Sequence, residues 1–145
     1  MKELLAAIKS QLQSDSTLNY VRDSDIIVTE DEDILPEAIH FPAIALKDGH
    51  IANTPTTNNR YNQRIQVRVI AYVSIKKPEE SIMGDKGILN LMDDIITSLI
   101  DNRLGISSVF WAFPTAEEES MMFGDEKEMI QKKCVIFEYE RQQNI

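Results

Sequence analysis

Apolar residues recur every three or four positions at the start of the chain. Leu4, Leu5, Ile8 and Leu12 fall within an arc of about 100° on a helical wheel, with Glu3, Lys9, Ser10 and Gln13 outside it, which predicts an amphipathic helix in need of a partner surface. Ser14-Asp15-Ser16 ends the periodicity, and Leu18, Tyr20 and Val21 are expected to fold back onto the same core. Asp25-Ile26-Ile27-Val28-Thr29 reads as a short strand, followed by Glu30-Asp31-Glu32-Asp33, a run too charged to bury and expected to be a solvated loop. Pro36 and Pro42 bracket an irregular stretch. A second short strand, Ala43 to Lys47, reaches Asp48-Gly49, a turn signal.

From His50 to Asn62 the residues are mostly Asn, Thr, Pro and Arg, and a long exposed arm or loop is expected over about 48–62. The clearest strand follows. Ile65, Val67, Val69, Ala71 and Val73 alternate with Arg64, Gln66, Arg68, Ile70 and Tyr72, burying one face and wetting most of the other. Arg60, Arg64 and Arg68 then form a positive stripe on the exposed side. Lys76-Lys77-Pro78-Glu79-Glu80 ends this strand, because proline cannot donate to a ladder.

A second helix is predicted with Asp85 as N-cap and with Asn102, Arg103 and Gly105 marking its end. Its apolar residues, Ile88 to Ile100, cover an arc of about 180°, wider than one sheet face requires. Either the first helix packs beside it or part of it meets another subunit. Strand patterning returns at Val109, Trp111 and Phe113, and again from Met129 to Tyr139, where Val135, Phe137 and Tyr139 oppose Ile130, Cys134 and Ile136. The expected order is helix, two short strands, a long arm, a long strand, a helix and two strands, with no repeat or linker.

Charge narrows the functional classes. The 145 residues carry 15 Lys+Arg against 24 Asp+Glu, a net charge of −9, and a compact chain of this mass exposes roughly 7,600 Å². That balance argues against a nucleic-acid groove, an anionic-membrane patch or an acidic substrate as the main business of the surface. No apolar run approaches the roughly 20 residues of a membrane span, and the N-terminus reads as a helix and not a signal peptide, so a soluble, intracellular product is expected. Cys134 is the only cysteine, which leaves no internal disulfide and no multi-cysteine zinc site.

Catalytic chemistry finds little support. A hydrolytic triad needs a nucleophile on a sharp turn beside an imidazole, and the two imidazoles, His40 and His50, lie in irregular segments away from any Gly-x-Ser-x-Gly elbow. Cys134 sits inside a strand pattern and reads as a small core hydrophobe. Five scattered glycines assemble no phosphate cradle. The run at Glu30, Asp31 and Asp33 offers carboxylates to a hard cation but lacks calcium-loop spacing, and Glu117-Glu118-Glu119 reads as a solvated surface run. Neither a cofactor nor a metal is expected. The arm is the unusual feature, either a plain hairpin tip or a docking arm, and the residues singled out as a candidate interface are Asn53, Thr56, Asn58, Asn59, Arg60, Tyr61, Arg64, Arg68 and Trp111.

The layout resembles the tail terminator proteins of long-tailed bacteriophages and prophages, also called tail-completion or minor tail proteins. The resemblance rests on the helix opening Lys2-Glu3-Leu4-Leu5-Ala6-Ala7-Ile8, the arm from Asn53 to Asn62, the strand from Arg64 to Val73, the helix from Gly87 to Ile95 and the closing strand from Lys133 to Tyr139. It implies one α+β domain over 1–145, a mainly antiparallel sheet flanked by two principal helices, with a long hairpin arm. It implies no enzyme activity but a structural protein that forms a hexameric ring, caps the tail tube, ends its polymerisation and joins tail to head. The implied partners are further copies of itself, the tail tube protein and a head–tail connector protein, with DNA passing through without specific binding and no membrane. The implied place is the tail–head junction of the virion, after assembly in the bacterial host cytoplasm. An acidic channel would keep DNA from sticking, leaving Arg60, Arg64 and Arg68 for protein contacts or local guidance. Three alternatives stay open: another head–tail joining protein, a monomeric adaptor that binds one protein through the arm, and a metal-assisted enzyme using Glu30, Asp31 or Asp33.

Overall fold

The long alternating segment becomes the middle of one sheet. The structure, a computed structural model, describes residues 1–56, 59–124 and 129–144. Three helices, α1 (Lys2–Ser14), α2 (Pro78–Met83) and α3 (Ile88–Leu99), accompany six strands: β1 (Ile26–Val28), β2 (Ala43–Pro55), β3 (Arg60–Ser74), β4 (Val109–Glu117), β5 (Met121–Gly124) and β6 (Met129–Asn144). The strands run in the order β1-β2-β3-β6-β4, with β5 also on β6. Because β3 occupies one side of β6 along its whole length, β4 and β5 follow one another along the other side. Only β1 with β2 is parallel. The fold is α+β, as expected.

Alternation sorts the side chains to two cores. On the first face, Ile65, Val67, Val69 and Ala71 of β3 and Val135, Phe137 and Tyr139 of β6 lie under Leu4, Ile8 and Leu12 of α1 and Leu91, Ile95 and Leu99 of α3. Leu18 and Val21 fold back onto this core as the sequence indicates, behind a turn in which the Asp15 carboxylate accepts from Thr17 N–H at 3.0 Å. Helix α1 does pack beside α3, with Gln11 Nε2 donating to Ser98 Oγ at 3.3 Å, but Leu89 and Ile100 of the wide apolar arc stay exposed. The second face is less wet than the sequence suggests. Ala43, Ala45, Ile70, Tyr72, Ile130 and Cys134 form a smaller core there, roofed by Leu35, Ile39 and Phe41 of the irregular stretch and by Ile27 and Phe123.

Several boundaries differ from expectation. Asp48-Gly49 does not turn the chain: β2 continues to Pro55, with a register shift between Asp48 and Ile51. The arm is therefore a regular hairpin, and β6 runs on past Tyr139 to Asn144 to give it a third strand. Little of this ribbon is covered, and the chain exposes 8540 Å², more than the roughly 7,600 Å² of a compact chain of its mass. Glycine is needed at 49 because a Cβ there would sit 2.6 Å from the Gln66 carbonyl oxygen. Gly49→Ala must push the strands apart at the bulge, at about 1–3 kcal/mol, and a melting temperature lowered by several degrees would show it.

Pro78 does more than end β3. It stands in the first turn of α2 with Glu79 and Glu80, where a missing N–H costs nothing and acidic groups suit the helix dipole. The N-cap of α3 is Gly87 and not Asp85. A Cβ at 87 would lie 2.8 Å from the Glu80 carbonyl oxygen and 2.9 Å from that of Ile82, so the close approach of α2 selects the glycine.

Candidate functional site

The arm lengthens the sheet beyond its helical cover. Asn53 of β2 pairs with Gln63 of β3, and Gln63 with Arg141 of β6, whose Nε donates to Gln63 Oε1 at 2.8 Å. Thr54, Asn62 and Gln142 form the next row, and Pro55, Tyr61 and Gln143 the one after. Thr56 N–H donates to the Arg60 carbonyl at 3.0 Å, and Asn59 turns the chain at φ 59°. Asn58 lies outside the described residues. Amides and hydroxyls dominate this ribbon, so it presents donors and acceptors on both faces with little net charge.

The positive stripe expected from Arg60, Arg64 and Arg68 is a row of ion pairs. Antiparallel register brings Glu138 and Glu140 of β6 beside Arg64 of β3, while the partners of Arg68 come from the two acidic runs. Arg64 reaches Glu138 and Glu140, both at 2.9 Å. Arg68 takes both oxygens of Glu32 at 3.0 Å and Glu118 at 2.7 Å, and its side chain is only 25% exposed. Arg60 alone keeps its charge outward, with Nη1 donating to Gln142 Oε1 at 3.5 Å. Next to the carboxylates of β6, Trp111 stands opposite Glu140 and Phe113 opposite Glu138, their rings stacked with centroids 5.8 Å apart. Phe110, Ala52, Thr54, Asn62, Arg64 and Glu140 line a shallow concavity of about 370 Å³ on this uncovered half of the second face.

The acidic run that sequence assigns to a solvated loop is partly a clamp. Glu32 is half-buried between Arg68 and Lys132, Lys132 also holds Asp33, and the Tyr72 hydroxyl donates to the Glu32 carbonyl at 2.7 Å. Glu118, from the second acidic run, closes the network on Arg68. Burial pushes the Glu32 carboxyl up, but the hydrogen bonds and charges of Arg68 and Lys132 together outweigh it and hold it below its ordinary value. A carboxyl so depressed gives stability that is complete above about pH 4.5, its unperturbed value, and lost as pH falls through the lower folded value. Acidification is therefore expected to release 29–42 before β3 and β6 lose their ladders, and hydrogen exchange against pH measures it.

These groups hold structure more than they do chemistry. Burial pushes the Cys134 thiol up to about 12, so it is no thiolate nucleophile at neutral pH. The His40 N–H donates to Asp25 Oδ1 at 3.0 Å, and the imidazole Nδ1 lies 3.5 Å from Asp25 Oδ2, a contact that ties the irregular stretch to the base of β1. Among the described residues no group of three or more His, Cys, Asp or Glu could hold a metal ion. No described helix is long and apolar enough to cross a membrane.

Sequence reading found the arginines and Trp111 but missed Glu138, Glu140, Glu118 and Glu32 as their partners. Alternation puts Glu138 and Glu140 on the correct face of β6. The register that seats them against Arg64 depends on two strands some seventy residues apart, which no local signal reveals.

This fold has a counterpart of nearly the same extent among solved structures. The chain matches one from a virion of a native gene transfer agent particle with a TM-score of 0.69 and 11% identity, over 97% of this chain and 95% of that one. At that identity the likeness is one of fold. No family model matches the sequence, and no curated protein matches it.

Proposed function

We propose that the chain is a structural protein of a phage-like virion, and within that class a tail terminator that assembles as a ring, caps the tail tube and joins tail to head.

 The observation that carries this reading is the likeness of fold to a virion chain over almost the whole of both lengths. Three features of the chain agree with it: a hairpin arm that reaches beyond the helical layer, a sheet face left half uncovered, and apolar residues of α3 that stay exposed after α1 has packed beside it. On this reading the arm residues Asn53, Thr56, Asn59, Arg60 and Tyr61, with Arg64 and Trp111 behind them, meet a neighbouring copy, the tail tube protein or the connector protein. Arg68 supports that surface from beneath, since its guanidinium is already held by Glu32 and Glu118.

The mechanism is steric. Copies that bury their edges against one another would cover the end of the tube and halt its growth, and the opposite side of the ring would receive the head, at the tail–head junction of a particle assembled in the host cytoplasm. Each copy adds nine surplus negative charges to the ring, which disfavours retention of DNA on its way through. Negative-stain imaging and solution mass, with and without tail tube protein, test the reading. Rings of uniform diameter that arrest tube growth are expected. A chain that stays monomeric at every concentration, even with tube protein present, would overturn it.

A further inference from the structure

Two exposed apolar patches lie at opposite edges of the sheet, and they differ in sign. At the β1–β2 edge, a groove of about 440 Å³ runs between α1 and the end of β1. Met1, Leu5, Ala6 and Val28 form its walls, and Val28 is 51% exposed. Lys2 and Lys9 stand on its rim, about one turn before and one turn after Leu5 and Ala6 on the same face of α1. Asp48 also borders the groove but is paired with Lys47 at 3.6 Å, so the rim is positive on balance.

At the other edge, Met121 and Met122 of β5 are 57% and 64% exposed, a short step beyond the end of β4. The acidic run Glu117 to Glu119 connects the two strands, with Glu117 and Glu119 exposed. This edge is poorly suited to adding a strand: Pro114 interrupts β4, and the Ala112 carbonyl already accepts from Asp101 N–H at 3.1 Å. What it offers is side chains, among them two flexible thioethers able to fill an irregular groove.

We propose that the β5 end of this edge in one copy docks in the α1–β1 groove of the next, with Met121 and Met122 against the apolar walls and Glu117 and Glu119 beside Lys2 and Lys9. The partner is a second copy because the chain itself carries both halves, apolar against apolar and negative against positive. The two patches are separated by β3 and β6, roughly 15–20 Å at ordinary strand spacing, and cannot meet within one molecule. Contact between two different surfaces of one chain is heterologous, so it propagates head to tail and either closes as a ring or continues as a filament. The inference rests on the self-assembly reading above and specifies its interface.

The test uses the full chain with Val28→Glu, which spoils the groove, and Met122→Glu, which spoils the edge. Both positions are exposed in the single copy, so folding should persist, and circular dichroism checks it. Each variant alone is expected to assemble at least about a hundredfold more weakly than the parent, by solution mass. Mixed, they should form a one-to-one dimer and nothing larger, because each retains one intact half. Lys9→Glu should weaken assembly, and Glu119→Lys in the same chain should recover part of it. A parent that forms rings insensitive to Val28→Glu and Met122→Glu would overturn the contact and leave the ring reading standing. Open filaments sensitive to both would support the contact and overturn the ring. Self-dimers of either variant alone would overturn the head-to-tail arrangement.

Discussion

Phe137→Ala is expected to destabilise the fold by about 3–5 kcal/mol, the largest effect of any single substitution considered for this chain. Phe137 is fully buried on β6, the strand that pairs with β3 on one side and with β4 and β5 on the other. Its ring lies 6.2 Å from that of Tyr139, and Val67 of β3 and Pro114 of β4 are its neighbours in register. Truncation removes apolar contacts to both neighbouring strands and to the helical layer. Against a total stability of about 5–15 kcal/mol, the variant should sit close to unfolding. Urea titration would show a lower midpoint with little change in slope. Tyr139→Phe provides the contrast. The Tyr139 hydroxyl is buried with no hydrogen-bond partner among the described residues, so its removal should be neutral or stabilise by up to about 1 kcal/mol.

Arg68→Ala should cost about 2–3 kcal/mol and should act on a different part of the molecule. Its removal leaves Glu32, with a side chain 20% exposed, facing Glu118 with Lys132 as the remaining cation. The site is partly hydrated, so the cost falls below that of a fully buried pair. The expected signature is early loss of hydrogen-exchange protection across 29–42, with protection in β3 and β6 retained. Arg68→Lys should recover only part of the loss, since one ammonium cannot take both Glu32 oxygens and Glu118 as the guanidinium fork does. A variant with unchanged exchange in 29–42 would mean that the roof of the second face is held by Leu35, Ile39 and Phe41 without the clamp.

The candidate site was partly legible in the chain. Asn53, Thr56, Asn59, Arg60 and Tyr61 stand out because a polar, amide-rich stretch precedes a strongly alternating strand, and the structure places them together at the end of the hairpin. Arg64 and Arg68 were legible as residues on one face but not as charges already matched. A sequence lists carboxylates without saying which of them a sheet register or a folded loop will bring within 3 Å. The same limit explains Asp48-Gly49, whose composition suits a turn but whose close approach to Gln66 makes it a bulge in a continuing strand.

The sequence by itself determined the kind and place of the long elements, because hydrophobic periodicity is a local property: a period near 3.6 in Leu4 to Leu12 and Ile88 to Leu99, and a period of two in Ile65 to Val73 and Val135 to Tyr139; it did not reveal the short α2 and β5, whose few residues carry no period of their own. It also determined that Cys134 would be interior, since a small apolar side chain in the middle of a strand has nowhere else to go. Only the tertiary structure decided the order of the strands, the seating of both long helices on one face, the conversion of the arginine stripe into ion pairs, and the two opposed edges with their complementary patches. Those features depend on which distant segments meet, and that is settled by the joint burial of surfaces from the whole chain, not by the residues of any one segment.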